Sequence, residues 1–144
     1  MKKTLFIFTT VFLCIIAVLF AMLKNAQIEQ QNILKDNLIY EQYLNKPIYG
    51  TDIATLINKA VDNNEKNKIE KDENGMYMEN DSNSIKIEIY ISINNITYSM
   101  ETIYMHGTEQ FVQNFNSILF ESSEIKYHTK TGKLAKILFK QIEE

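Results

Sequence analysis

At 144 residues the chain has room for one compact domain and a membrane anchor, but not for two domains with separate cores. Lys2, Lys3 and Lys24 flank an apolar segment, and the remaining 12 of the 15 basic residues face 18 acidic ones. Because this balance repels phosphates, and because every basic residue is lysine rather than arginine, the composition excludes nucleic acid as a partner.

The first predicted element is a transmembrane anchor at Leu5–Leu23, which contains no charged residue. A helix over this segment would be about 28 Å long, close to the thickness of the hydrocarbon layer. Lys2 and Lys3 precede the segment, so the positive-inside rule places residues 1–4 in the cytoplasm and the C-terminal domain outside. The sequence therefore predicts a single-pass protein of the cell membrane.

A cleaved signal peptide is the alternative to an uncleaved anchor. The best cleavage site, Leu19-Phe20-Ala21, has only one of the two small residues that signal peptidase requires. A lipid anchor on Cys14 is disfavoured because the residues before it, Phe12 and Leu13, are large. The pattern favours an uncleaved anchor, and whether the segment is cleaved stays open.

Residues 24–46 are predicted to continue the helix outside the membrane. No proline or glycine interrupts them, and Pro47 and Gly50 then end the element. A flexible polar stalk is the alternative, because glutamine and asparagine are abundant here. The residues predicted to form an apolar stripe on this amphipathic helix are Ile28, Leu34, Leu38 and Tyr43.

Residues 47–144 are predicted to form the extracytoplasmic domain. Thr51 or Asp52 can cap a helix that ends in the polar run Asp62–Asn67. A second short helix is predicted after Gly107, with Thr108 as its cap. The apolar positions are Ile53, Leu56, Ile57, Ala60 and Val61 in the first helix, and Phe111, Val112 and Phe115 in the second.

Two hairpins are predicted between these helices. The pair Asn74-Gly75 is typical of a type I′ turn and predicts the first. Isoleucines alternate with polar residues over Ser84–Ile93, which predicts a strand, and a two-residue turn at Asn94-Asn95 would return it as far as Tyr104. The cross-strand pairs that this turn predicts include Ile91 with Tyr98 and Ile89 with Met100.

A third hairpin is predicted around Lys130–Gly132, with Leu134–Ile142 as its return strand, although that last stretch also fits a helical period. The predicted fold class is α+β. An N-terminal transmembrane helix continues into an amphipathic helix, and an antiparallel sheet of hairpins packed by short helices follows.

One group of residues matches a metal-binding pattern. Glu70, Asp72, Asn74, Gly75 and Asp81 fall at positions 1, 3, 5, 6 and 12 of a calcium loop. The hairpin at Asn74-Gly75 explains the same residues more simply, so the sequence predicts no metal site. It also predicts no cofactor and no catalytic residue, because the two histidines are far apart and lack neighbouring ligands or nucleophiles.

The layout of basic start, apolar helix, amphipathic helix and sheet domain resembles that of type IV pilins and pseudopilins. This resemblance implies assembly through the helix. The chain departs from the pilin pattern because no glycine precedes Gly50 and no acidic residue precedes Glu29. Cleavage by a prepilin peptidase is therefore not expected.

Four segments, Tyr49–Ala60 (YGTDIATLINKA), Asp62–Lys66, Asp72–Asp81 and Tyr127–Gly132, look like a family of small single-span membrane proteins of clostridia and related low-GC bacteria. Some members accompany pilus or secretion genes, which implies association with a machine of the cell envelope. The family has no known activity.

The sequence therefore favours a non-enzymatic, membrane-anchored envelope protein, pilin-like or accessory to a pilus or secretion system. Its expected partners are membrane lipid, through the N-terminal helix, and other envelope proteins. The alternative is a tethered extracytoplasmic domain that binds or senses a small ligand, a cation or a wall polymer.

Overall fold

The computed structural model describes residues 2–142, so Met1, at the predicted cytoplasmic end, and Glu143–Glu144, at the end of the predicted domain, lie outside the described residues. The chain has the predicted α+β class. It divides into two units, Met1–Lys35 and Asp36–Glu144. The elements in chain order are α1 (Lys2–Glu41), β1 (Ile48–Tyr49), α2 (Gly50–Lys66), β2 (Lys86–Ile91), β3 (Ile96–Ser99), α3 (Met100–His106), α4 (Thr108–Phe115), β4 (Leu119–Tyr127) and β5 (Leu134–Gln141).

The five strands form one sheet in the order β1-β4-β5-β2-β3. Three neighbouring pairs are antiparallel, and two of them, β2–β3 and β4–β5, are predicted hairpins. The strands β2 and β5 run parallel, so the predicted antiparallel sheet is wrong and the sheet is mixed. The third predicted hairpin is confirmed as β4 and β5, and its last stretch is a strand rather than a helix. The parallel pair was not predicted because no local turn joins β2 to β5.

The central pair explains where the core lies. Ile87 faces Ile137 and Ile89 faces Phe139 across the parallel ladder, and all four side chains are fully buried. On the opposite face of the sheet, Lys136 donates to Glu88 at 2.8 Å. The helices therefore cover one face of the sheet, and the other carries charged side chains in water.

Helix α2 buries the predicted apolar stripe, which is confirmed at every position. The helix begins at Gly50 and ends at Lys66, with Asn67 as its C-cap, so it ends within the polar run Asp62–Asn67 as predicted. Asn64 within that run is fully buried. The end of the helix is therefore polar in composition without being wholly exposed to water.

The second hairpin differs from its prediction. Ile91 pairs with Ile96 and Ile89 with Tyr98, a shift of two residues, because a four-residue loop replaces the predicted two-residue turn. Ile93 lies in that loop and is 80% exposed. The return strand ends at Ser99, whose hydroxyl accepts a hydrogen bond from the Thr102 amide and caps α3.

The first hairpin is reduced to a turn with a single bridge between Lys71 and Tyr77. The predicted type I′ turn needs a positive φ at both central residues, but only Gly75 has one, at 78°. Asp72 builds the turn instead, because its Oδ1 accepts hydrogen bonds from the amides of Asn74 and Met76, both at 2.9 Å. An aspartate turn therefore forms where a glycine turn was predicted.

Helix α1 confirms the predicted continuous helix and excludes a flexible stalk up to Glu41, five residues short of the predicted end. Of the residues predicted to form the apolar stripe, Ile28, Leu34 and Leu38 are exposed, the last two at 62% and 60%. Only Tyr43 packs against the core of unit Asp36–Glu144. Helical spacing alone did not indicate which face of the helix is buried.

Gly50 allows the close contact between α2 and the end of α4. Its amide donates to the Ile118 carbonyl at 3.2 Å, and a Cβ at this position would overlap the carbonyl oxygen of Phe115. We expect Gly50→Ala to lower the free energy of unfolding by about 2 kcal/mol through overpacking, although alanine is the better helix former. Urea unfolding of the detergent-solubilised protein measures the change.

Gly132→Asn is the matched control, because nothing lies within 4 Å of a Cβ there and asparagine tolerates its φ of 71°. The control should cost well under about 1 kcal/mol. If Gly50→Ala were as stable as the control, close packing at Gly50 would not be required for stability.

Candidate functional site

One of the described helices, α1, is long and apolar enough to cross a membrane. An 18-residue window has a mean hydropathy of 2.8, and the described side chains from Phe6 to Leu23 are all exposed. Thr9 and Thr10 both donate their hydroxyls to the Phe6 carbonyl at 2.9 Å, which satisfies them within the helix. A signal sequence meets the same test of length and composition.

Within unit Asp36–Glu144, the last turns of α1 are fastened to the turn between β4 and β5. Asn37 is 6% exposed, and its Oδ1 accepts a hydrogen bond from the Leu134 amide at 2.8 Å. Its Nδ2 donates to the Gly132 carbonyl at 2.9 Å. One amide side chain thus satisfies a donor and an acceptor at the start of β5.

Two further contacts strengthen this attachment. Lys133 forms an ion pair with Asp36 at 2.9 Å, and the Tyr127 hydroxyl donates to Glu41 at 3.1 Å. Partial burial, followed by the hydrogen bond to Glu41 and by its charge, raises the pKa of Tyr127, so the phenol stays protonated as the donor. We name the helix residues Asp36, Asn37 and Glu41 the clasp.

A groove of about 310 Å³ lies beside the clasp, between the last turns of α1 and one face of α2. Ile39 and Tyr40 of α1 contribute to one wall, and Ile85 and Leu134 provide apolar surface. This size is at the lower end of small-molecule pockets. The groove is the candidate functional site of this unit.

Five charged side chains line the groove, and only two of them pair with each other. Lys133 and Asp36 form the ion pair of the clasp, whereas Lys59, Asp62 and Lys66 have no ion-pair partner among residues 2–142. These three follow one another at i, i+3 and i+7, so they lie on one face of α2. Lys59 Nζ lies 5.7 Å from the centre of the Tyr43 ring.

Tyr40 has a buried ring in the groove wall and is 4% exposed. Its hydroxyl has no hydrogen-bond partner in the part of the chain that the structure describes. Burial is the main reason that the pKa of Tyr40 is raised, and the charges of Asp36 and Asp62 raise it further. The phenol therefore stays protonated, and the two acidic residues also line the groove.

Asparagine side chains hold the opposite wall. Asn64 Oδ1 accepts from the Ile85 amide, and its Nδ2 donates to the Ile85 carbonyl, both at 2.8 Å. Asn63 donates to the Asn83 carbonyl at 3.0 Å. Asn80 Oδ1 accepts from the amides of three following residues, Ser82, Asn83 and Ser84. The segment before β2 is thus fixed to α2 without strand pairing.

The residues of the calcium-loop pattern do not converge. Asp72 Oδ1 is already bonded to two amides of its own turn, and Glu70, Asn74 and Asp81 are exposed. Residues 2–142 contain no group of three histidine, cysteine or acidic side chains that could hold a metal ion. This arrangement favours the simpler interpretation, in which these residues form a turn.

Neither histidine lines the groove. His128 is buried, and its Nε2 lies 2.7 Å from the Ser84 carbonyl, which can only accept, so this nitrogen carries the proton. His106 is exposed, with Nδ1 2.7 Å from the Thr102 carbonyl. Both histidines act as structural donors here.

Sequence reasoning missed the groove because its residues carry no motif. Asn37 and Tyr40 lie outside the apolar stripe predicted for this helix, yet both are buried. The only available signal was the spacing of Lys59, Asp62 and Lys66 on the polar face of α2, which is equally typical of a solvated surface.

We expect Asn37→Leu to lower the free energy of unfolding by about 2–4 kcal/mol, because the Leu134 amide would lose its partner while buried. Urea unfolding in detergent measures this change. Asn58→Leu is the matched control, since Asn58 is exposed and makes one 3.5 Å contact with Thr108. Equal stability of the two variants would exclude the clasp as a stabilising feature.

Comparison with known proteins gives no relative for this chain: no family model, curated protein or solved structure matches it. The resemblances to type IV pilins and to small clostridial membrane proteins therefore remain predictions. Function has to be inferred from the chemistry of the described residues.

Proposed function

We propose that this chain is a non-enzymatic envelope protein that works through protein contacts, as a pilin-like or accessory component of a pilus or secretion system. The helix at Leu5–Leu23 anchors it in the cell membrane as a single span. Its N-terminus is cytoplasmic, and the domain that begins at residue 47 is outside. Its partners are membrane lipid and other proteins of the envelope.

The observation that carries this proposal is the uninterrupted exposure of apolar side chains from Phe6 to Leu23. Burial of an apolar side chain stabilises by about 1.5–3 kcal/mol, so leaving this whole segment in water would be costly. The two lysines before the segment support the orientation. Leu38, in the unit Asp36–Glu144, is 60% exposed and offers apolar surface for a protein contact beyond the membrane.

Anchoring is tested by placing charge in the centre of the span. We expect Leu13→Arg combined with Ile16→Arg to remove the full-length protein from the membrane fraction, because each arginine costs about 3 kcal/mol at the centre of a spanning helix. Gln27→Arg, outside the span, should leave the protein in the membrane fraction. Fractionation followed by mass spectrometry of the amino terminus is the measurement.

The proposal fails if the unmodified full-length chain, with its amino terminus intact, is soluble in the cytosol. A cleavage after Ala21 would replace the anchor with a signal peptide.

Contacts between copies of the helix are tested with cysteine cross-linking. Cys14 is the only cysteine, so a Cys14→Ser background allows a single cysteine to be moved through positions 11–18, which covers two helical turns. If helices pack against each other, oxidation in whole cells should give dimers with a period of about 3.6 residues. Absence of dimers at all eight positions would exclude assembly through this helix.

A second candidate function, a tethered domain that binds a small ligand, is favoured by one observation. The groove in unit Asp36–Glu144 is lined by Tyr40 and by three charged side chains that form no ion pair among the described residues. This function is compatible with the same anchor.

A further inference from the structure

The outer edge of β4 has a partner strand along only its first two residues. β4 is nine residues long, and β1 pairs with it at Leu119 and Phe120. Over Glu121–Tyr127, neither a strand nor a backbone hydrogen bond from outside the sheet reaches this edge in the described part of the chain. The Asn45 amide donates to the Ser122 hydroxyl, which is a side chain rather than the edge itself. The unpaired backbone groups of such an edge are a template for a further strand.

A bulge in β4 places two opposite charges on the same face of the sheet. Glu121 lies opposite Lys140 in the ladder with β5, and both therefore share a face. Lys126 lies opposite Lys136, which is on that same face because it is four positions from Lys140. In a regular strand, residues five positions apart point to opposite faces. Glu121 and Lys126 share a face because Ser123 is an extra residue in the ladder between them.

These two positions make the edge complementary to itself. If two copies pair antiparallel about a twofold axis between residues 123 and 124, Glu121 of each copy lies opposite Lys126 of the other. Glu121 is exposed and forms no ion pair among residues 2–142. The Lys126 side chain contacts Glu124 but is 62% exposed. Opposite charges directly across two strands favour their pairing, and this dimer would contain two such pairs.

We propose that the edge of β4 over residues 121–126 pairs with the same edge of a second copy of this chain. The two sheets then form one continuous sheet across the twofold axis, and the pairing ends where β1 already occupies the edge at Phe120. Charge complementarity between Glu121 and Lys126 selects the register. This inference rests on the proposed function, in which the protein works through protein contacts, and it names the partner.

The other edge of the sheet carries no comparable signal. β3 pairs only with β2 and spans Ile96–Ser99, without a charged residue that would select a register. A bulge and a lysine on β4 are also devices that protect an edge strand from pairing. Protection predicts a chain that does not pair through β4, whatever the signs of the charges at residues 121 and 126. The experiments below separate these two interpretations.

The register is tested with cysteine pairs in the full-length protein. Glu121→Cys and Lys126→Cys, each in a Cys14→Ser background, are co-expressed with different tags and oxidised in isolated membranes. Directly opposed residues have Cα atoms about 4.5–5.5 Å apart, which a disulfide spans, so the co-expressed pair should give a mixed dimer. Each variant alone should give none, because its like positions would be about 17 Å apart. Thr97→Cys, exposed on β3, co-expressed with Lys126→Cys is the matched control and should give no dimer.

Charge reversal tests the complementarity. Sedimentation velocity of the full-length protein in detergent micelles measures its dimerisation constant. Glu121→Lys and Lys126→Glu should each dimerise about tenfold more weakly, because each variant alone places two like-charge pairs across the interface. An equimolar mixture of the two variants should recover the parent affinity, since both pairs are then opposite in sign. Lys130→Glu changes the net charge equally but lies beyond the end of β4, so this control should dimerise like the parent protein.

Thermal unfolding confirms that each variant is folded. A reversal variant that does not fold is replaced by Glu121→Gln, which should weaken dimerisation about threefold. The proposal is overturned if the parent protein is monomeric, if the co-expressed cysteines form no mixed disulfide, or if charge reversal leaves dimerisation unchanged. Dimers that survive reversal and cross-link through positions 11–18 belong to α1, so assembly through the helix would stand while pairing through β4 fails. Fractionation tests the anchor separately.

Discussion

A backbone amide or carbonyl removed from water needs another partner, and at one end of unit Asp36–Glu144 the partners are asparagine side chains. Asn37 bonds to both sides of the turn that leads into β5, and Asn64 bonds to both polar groups of Ile85 just before β2. β5 and β2 are the central parallel pair of the sheet. These two amides therefore connect the helices to the strands on which the core is built.

The same amides explain why the groove can hold charged residues without losing its shape. Its walls are positioned by buried hydrogen bonds of Asn37 and Asn64, while Lys59, Asp62 and Lys66 take no part in them. Stability and surface charge are thus carried by different residues. Substitutions at the three charged positions therefore alter the surface of the groove while the fold is preserved.

The sequence predicted those features that local periodicity encodes. The alternation of isoleucines over Ser84–Ile93 predicted a strand, and β2 lies within that segment. The helical spacing of apolar residues after Gly50 predicted the helix that is found as α2. Local patterns failed where a polar group decided the outcome. Ser99 ended β3 by capping a helix, and Asp72 built a turn that Asn74-Gly75 was expected to form.

Long-range structure was beyond such reasoning for a physical reason. The parallel pairing of β2 with β5 joins residues about fifty positions apart, and no turn or alternation specifies which strands become neighbours.

The candidate site shows the same limit more strongly. Its walls come from α1, α2 and the start of β5, so no continuous stretch of sequence contains it. Asn37 is a polar residue that is buried, and its hydrogen-bond partners lie nearly a hundred positions away along the chain.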